Sequence, residues 1–589
     1  MMRRAGFLAA AMMAGAMMSA QAQSGSGAGA SAQGGAVSAT EAEIRELREQ
    51  LKVQQEEIDA LKAELRGRVG VPAAAAGEGP GAVASPAAAA AAGPPSRSAV
   101  RTVAHAAEPN PVANSIAVAR APVAKPEEGI AFKGVRLIPG GYVAAETATR
   151  TRALNASINT PFNATPYMNS GDAHVTEFEG TGRQSRLSLL AETDVPFGRV
   201  SGFYEMDLLG VGANSNNNQS NSYVLRQRQA WGRLERQNGF ALTAGQMWSL
   251  VTETQLGLSV GTENSPHTID SQYHVGFSWA RQYGVRVTQR MGHAELGLAV
   301  EEPAIVNFTS AAVPPNFFVG GVGAGGGAYN PGSVYSTNAA PDVVVKVAAD
   351  KGGLHLEAGG IVRFFRSRIY PNQTTNAGST AQTGAYNSTV VGGGAFASVR
   401  IPVGHGFDIG LHAMGGDGVN RYGTSQLADA TVHANGVLEP LRGGHGMVSL
   451  IARPARKLEL FGYAGTEYAQ RTFYDVAGTI YGYAPPSLSV SGCFAEQGTT
   501  SATGTAPNDP SASCGAQTRD LAQGTAGFTW RFFDSAEKGR FQYSMQYSYL
   551  TKTAWAGLMS GTYGASGAIY AAPHATNNMV FTSFRYYIP

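Results

Sequence analysis

Residues 541–550 read FQYSMQYSYL, with Phe541, Tyr543, Met545, Tyr547 and Tyr549 at alternate positions and Gln542, Ser544, Gln546 and Ser548 between them. Successive side chains of a strand face opposite sides, so this stretch has one aromatic face and one uncharged polar face. Its ten residues match the length a tilted strand needs to cross a bilayer. Apolar outside and polar inside is the reverse of a soluble protein and the pattern of a transmembrane β-barrel.

Working outward, the same texture runs from residue 132 to the C-terminus. Alternating segments such as RVSGFYEMDLL (199–209), LHLEAGGIVRF (354–364), LELFGYA (458–464) and AGFTWRF (526–532) are separated by Gly-, Asn-, Ser- and Thr-rich stretches. Connections alternate between tight (402–406, 453–457) and long and polar (210–222, 309–340, 366–388, 471–518), as turns and external loops of a barrel do. Shared among sixteen strands, the 458 residues from 132 to 589 allow about 29 for each strand with its half-loops; fourteen or eighteen strands also fit. The expected fold is therefore an all-β transmembrane barrel of about 16 antiparallel strands. A β-helix is disfavoured because no strict tandem repeat is present. The chain ends VFTSFRYYIP, with Phe584, Tyr586 and Ile588 on one face, a terminal pattern used in recognition by the barrel-assembly machinery, although Pro589 stands where a terminal Phe is usual.

The first 131 residues differ in kind. Arg3 and Arg4, the apolar run 5–18 and Ala20-Gln21-Ala22 form a secretory signal peptide over 1–22. Residues 23–39 have a disordered composition. Ile44, Leu47, Leu51, Gln54, Ile58, Leu61 and Leu65 then follow heptad spacing, with Glu43–Arg48 and Glu57–Lys62 as interhelical pairs; this predicts a short periplasmic coiled coil over 40–67. Residues 68–131 form an Ala/Pro-rich linker, and the barrel occupies 132–589. Beyond the signal peptide no apolar run is long enough for a transmembrane helix. A net charge of +2 and no basic tract argue against a nucleic-acid partner. The two cysteines, Cys493 and Cys514, are expected to form a disulfide in an oxidising compartment, which the loop-closure model values at roughly 3 kcal/mol.

If apolar residues face lipid, the residues between them face the lumen. In LRQRQAW, Leu225 and Trp231 point out, so Arg226 and Arg228 point in. In YGVRVTQR, Val285 and Val287 point out and Arg286 and Arg290 point in. Arg186, Arg363 and Arg585 have inward parity, as do Glu205, Asp207, Glu357 and Asp408. The arginines outnumber the nearby acids, and a cationic constriction raises the local concentration of anions. Guanidinium stays charged and grips carboxylates with two hydrogen bonds. The opposing reading is that these charges pair across the wall and stiffen it. Trp231, Trp248, Trp279, Trp530 and Trp555 suit interfacial girdles. No G-x-S-x-G, H-E-x-x-H or P-loop occurs, so neither an enzyme nor a cofactor is expected.

The segments GRQSRLSLL, GRVSGFYEMDLLG, LRQRQAW and LTAGQMWSL, with the coil and linker before them, resemble the DcaP-like trimeric outer-membrane porins. The resemblance implies a homotrimer of 16-stranded barrels in outer-membrane lipid of a Gram-negative-type bacterium, with the coil in the periplasm. It also implies passage of small anionic solutes such as dicarboxylates, with Arg186, Arg226, Arg228 and Arg286 at the constriction. Two other readings stay open. One is a phosphate-type specific channel, with Lys346 as its clearest inward lysine. The other is an envelope-structural protein whose barrel is an anchor and whose coil is a tether. A TonB-dependent receptor is disfavoured, because the N-terminal segment is too low in complexity to form a plug.

Overall fold

The computed structural model describes residues 129–210, 223–303, 306–322, 334–373, 383–404, 406–496 and 514–589. The expected signal peptide, disordered segment, coiled coil and most of the linker lie outside the described residues. Sixteen long strands follow in chain order: β1 (Val135–Arg150), β2 (Arg186–Val195), β3 (Gly198–Gly210), β4 (Val224–Glu235), β5 (Phe240–Trp248), β6 (Arg281–Met291), β7 (Ala294–Glu301) and β8 (Asp342–Lys351), then β9 (Leu354–Ile369), β10 (Tyr386–Val403), β11 (Phe407–Asp417), β12 (Arg442–Ala455), β13 (Leu458–Ala469), β14 (Thr518–Ser535), β15 (Gly539–Ala554) and β16 (His574–Tyr587). Neighbours in sequence pair antiparallel, and β1 pairs with β16 from Tyr142↔Tyr587 to Arg150↔Met579. The sheet thus closes on itself and has no free edge, which a spanning sheet requires.

The alternation that opened the sequence reading is realised in β15. Gln542, Ser544, Gln546 and Ser548 are buried inward, while Met545, Tyr547 and Tyr549 lie on the outside. The same parity puts Leu187, Leu189, Leu225, Val285, Leu298, Val347, Leu356 and Leu450 on the outer surface, where the solvent of a transmembrane barrel is lipid. Short turns gather at one end: 196–197, 236–239, 292–293, 352–353, 404–406, 456–457 and 536–538. At 352–353 both residues are glycines, with φ of +60° and +87°, the left-handed pair that a two-residue hairpin turn calls for. The long connections all leave and rejoin the strands at the other end.

The tryptophan girdle is corrected. Trp231, Trp248 and Trp279 are buried inside, and Trp555 is partly buried against Tyr468; only Trp530 stands on the outer face. The aromatic band at the short-turn end is built from Phe and Tyr instead. Phe532, Phe541 and Phe584 stack in sequence, with ring centroids 5.3 and 6.1 Å apart, beside Phe533 and Tyr586. Large rings with little or no polar edge suit the lipid face.

The connection between β5 and β6, residues 249–280, does not extend outward. It turns into the barrel and crosses it, and nearly all of it is buried. Sequence reading had not singled it out among the long loops. Inward-facing side chains of most strands are buried over much of their length, β10 being the least covered, so the lumen is narrow and largely occupied by the protein itself.

Candidate functional site

Where a polypeptide crosses a lumen it presents unpaired backbone N–H groups, each of which must find an acceptor. The barrel wall supplies them. Leu250 N–H donates to Glu301 (2.8 Å), Thr254 to Glu357 (3.1 Å), Leu258 to Glu295 (3.1 Å) and Gly257 to Asp350 (3.0 Å) on β7 to β9. Further along, His267 N–H reaches the Tyr463 hydroxyl (2.8 Å), Ile269 reaches Gln546 (2.5 Å), Val275 reaches Gln523 (2.8 Å) and Gly276 reaches Glu467 (3.0 Å), on β13 to β15. The loop is therefore tied to opposite walls. At Gly276, with φ of +92°, an added Cβ would lie 2.1 Å from the Gly446 carbonyl oxygen. At Gly465 it would lie 2.0 Å from the Val275 carbonyl oxygen. Glycine is required at these positions because backbone meets backbone there.

Beside this loop, β2, β3 and β4 carry a row of charges. Register sets Arg186 opposite Asp207, and Asp207 opposite Arg226. Arg226 grips Asp207 with Nε (3.0 Å) and Nη2 (2.6 Å), the paired geometry that planar guanidinium favours. Arg228 bridges Glu205 (2.8 Å) and Asp207 (2.8 Å), and Arg186 reaches Glu205 at 3.4 Å. Arg228 gets there because β4 carries a bulge. Glu205 pairs with Gln229 and Met206 with Gln227, which leaves Arg228 as the extra residue. A bulge re-aims side chains, and here it reverses the parity of the rest of the strand. That corrects the outward placement of Trp231, which packs inward against Phe203 at 5.3 Å between ring centroids.

The seven charges of inward parity that the sequence places on β2, β3, β4 and β6 divide. Arg186, Arg226, Arg228, Glu205 and Asp207 form this one cluster. Arg286 lies inside but donates to the carbonyls of Leu258 and Trp248, so it fastens the first part of the loop to the end of β5. Arg290 lies at the short-turn end of β6, is 41% exposed and sits 3.9 Å from Glu235, away from the cluster. Sequence reading missed Arg281. Its guanidinium lies over the Trp248 ring at 5.2 Å and is close enough to act on Glu205 and Asp207. Parity places residue 281 outward; its inward turn comes from the loop that delivers it. Four guanidiniums thus gather around Glu205 and Asp207, with Glu146 close enough to act on Arg186 as well.

On the other walls inward cations meet acids more evenly. Lys346 pairs with Glu357 (2.7 Å), Arg363 with Asp342 (3.1 Å) and Asp429 (2.9 Å), and Arg585 with Glu146 (2.7 Å). The loop itself carries Glu253, Glu263 and Asp270 and no lysine or arginine, so an acidic loop faces a cation-rich wall. Burial and the neighbouring Glu357 push the Glu253 carboxyl up to about 8. At the long-loop end Cys493 and Cys514 are joined in a disulfide.

No family model matches this sequence, and no curated relative does. Solved structures do. The outer membrane channel DcaP of Acinetobacter baumannii superposes with a TM-score of 0.50 at 14% identity, over 78% of this chain and all of that one. The anion-selective porin from Comamonas acidovorans covers 77% of this chain and all of its own at a TM-score of 0.37 and 11% identity. Salmonella typhi OmpF covers 78% of this chain and 99% of its own at 0.39 and 10% identity. The chain has the DcaP fold, in agreement with the family resemblance read from the sequence; at such identity the likeness is one of architecture.

Proposed function

We propose that this chain is an outer-membrane porin, passing small hydrophilic solutes by diffusion and favouring anions such as dicarboxylates. The observation that carries this reading is the excess of guanidinium over carboxylate in the cluster of Arg186, Arg226, Arg228 and Arg281 with Glu205 and Asp207. In a narrow lumen of low dielectric, a wall carrying more guanidinium than carboxylate attracts an anion more strongly than it would in water. Arg226, partly exposed where Arg186 and Arg228 are fully buried, is well placed to meet a solute. The fold is that of DcaP, whose own description is an outer membrane channel, and a homotrimer in the outer membrane accords with it. A phosphate-type channel fits less well, because Lys346 is held by Glu357 and by the Thr252 carbonyl.

The test is reversal potential in planar bilayers under a KCl gradient. Anion preference with conductance in steps of three is expected, and Arg226→Ala should lower that preference while the oligomer survives. Cation preference in the wild type would overturn the arginine argument. The alternative of a barrel serving as an envelope anchor is favoured by one observation, the burial of most of the inward faces. Absence of conductance would select it.

A further inference from the structure

The inward loop is least buried near Leu256, which is 40% exposed. There it borders a cavity of about 360 Å³ at the short-turn mouth, lined by Gln255, Leu256, His293, Lys351, Leu354 and Arg400 among others. The turns carrying His293 and Lys351 are tied together by the Asp350 N–H, which donates to the His293 carbonyl (2.8 Å). Asp350 also lines the cavity, but both its carboxylate oxygens are engaged. Oδ1 meets His355 Nδ1 at 2.7 Å, and Oδ2 accepts from Gly257 N–H at 3.0 Å. Arg400 donates to Asp408 at 2.9 Å and still leaves 29% of its side chain exposed. The cavity thus has basic groups on two sides, an acid whose oxygens are committed, and apolar surface from Leu256 and Leu354.

We propose that this cavity is a binding site for an organic monoanion, a carboxylate on a short hydrocarbon body, separate from the arginine cluster on β2 to β4. Lys351 and Arg400 take the carboxylate, and the two leucines cover the hydrocarbon. Charge alone would hold any anion; the leucines add a hydrophobic increment for each methylene they bury, which an inorganic ion cannot collect. The occupant touches the loop at Gln255 and Leu256, so binding and loop position are linked. The reading as a porin gives the site its setting, but binding can be measured without conduction.

The test acetylates the full-length protein in detergent and follows Lys351 by peptide mass spectrometry, with exposed Lys538 as internal reference. Saturating butyrate is expected to slow acetylation of Lys351 relative to Lys538 by about fivefold or more, as mass action requires of an occupied site. Sulfate at equal ionic strength should protect markedly less. Arg400→Gln should abolish the protection; Asp408 keeps Arg453 as a partner at 2.7 Å, so the fold retains that ion pair. No protection by butyrate, equal protection by sulfate, or undiminished protection in Arg400→Gln would each overturn the site. Loss of conductance in bilayers with protection intact would overturn the porin reading and leave the site standing.

Discussion

At the residue scale, the same arginine chemistry does two jobs, and burial separates them. Arg228 is fully buried between Glu205 and Asp207, so Arg228→Ala takes one guanidinium from each carboxylate and leaves Glu205 to Arg186 and Asp207 to Arg226. Removing one partner of a buried ion pair costs roughly 3–5 kcal/mol. Arg228→Ala is therefore expected to lower the unfolding midpoint, read by calorimetry or by gel mobility on heating. Arg226→Ala, at a partly exposed position, should change selectivity with a smaller loss of stability. Glu253 adds a pH dependence. Its carboxyl is raised to about 8 from an ordinary 4.5 when the loop is docked, so the docked state binds a proton that the undocked loop releases. The contribution of Glu253 to docking is then greatest below about pH 4.5 and is lost as pH rises to about 8. Hydrogen exchange of residues 250–262 should speed up across that window, and Glu253→Gln should flatten the profile.

At the element scale, the inward loop depends on glycine in the strands it crosses. A Cβ at Gly465 would fall on the Val275 carbonyl, whereas at Gly462, on the same strand, its nearest neighbour would be at 3.8 Å. Gly465→Ala is expected to displace the loop and raise single-channel conductance, with Gly462→Ala as the unaffected control. The disulfide acts on a different connection. Reduction of Cys493–Cys514 should increase proteolysis between the two cysteines while the barrel's thermal transition stays in place, because it closes a loop and not a strand pairing. Strand faces were legible from period-two alternation: Gln542 to Ser548 inward, and Leu187 or Leu225 outward, follow from local pattern alone. The bulge at Arg228 was not legible, because a bulge is a mismatch between two strands and leaves no mark on one of them. That is why Trp231 lies on the side opposite to the one its strand's alternation predicts.

At the scale of the whole molecule, closure through Tyr142–Tyr587 makes a barrel whose outer surface is apolar and whose interior is a hydrogen-bonded polar mass. The predicted coil bears on assembly: Ile58→Asp places a charge in the heptad seam and is expected to reduce SDS-resistant trimers on unheated gels. The amino-acid sequence by itself determined the class of fold, since alternation, strand length and turn spacing are local consequences of a chain that meets lipid on one side and polar groups on the other. It also determined that arginines would collect inside on β2 to β4. Only the tertiary structure decided which acids they meet, that Arg281 joins them, that Arg286 fastens a loop, and that residues 249–280 fill the lumen. Those outcomes turn on distances between groups remote in the chain, and hydrogen bonds and ion pairs are decided by such distances, not by composition.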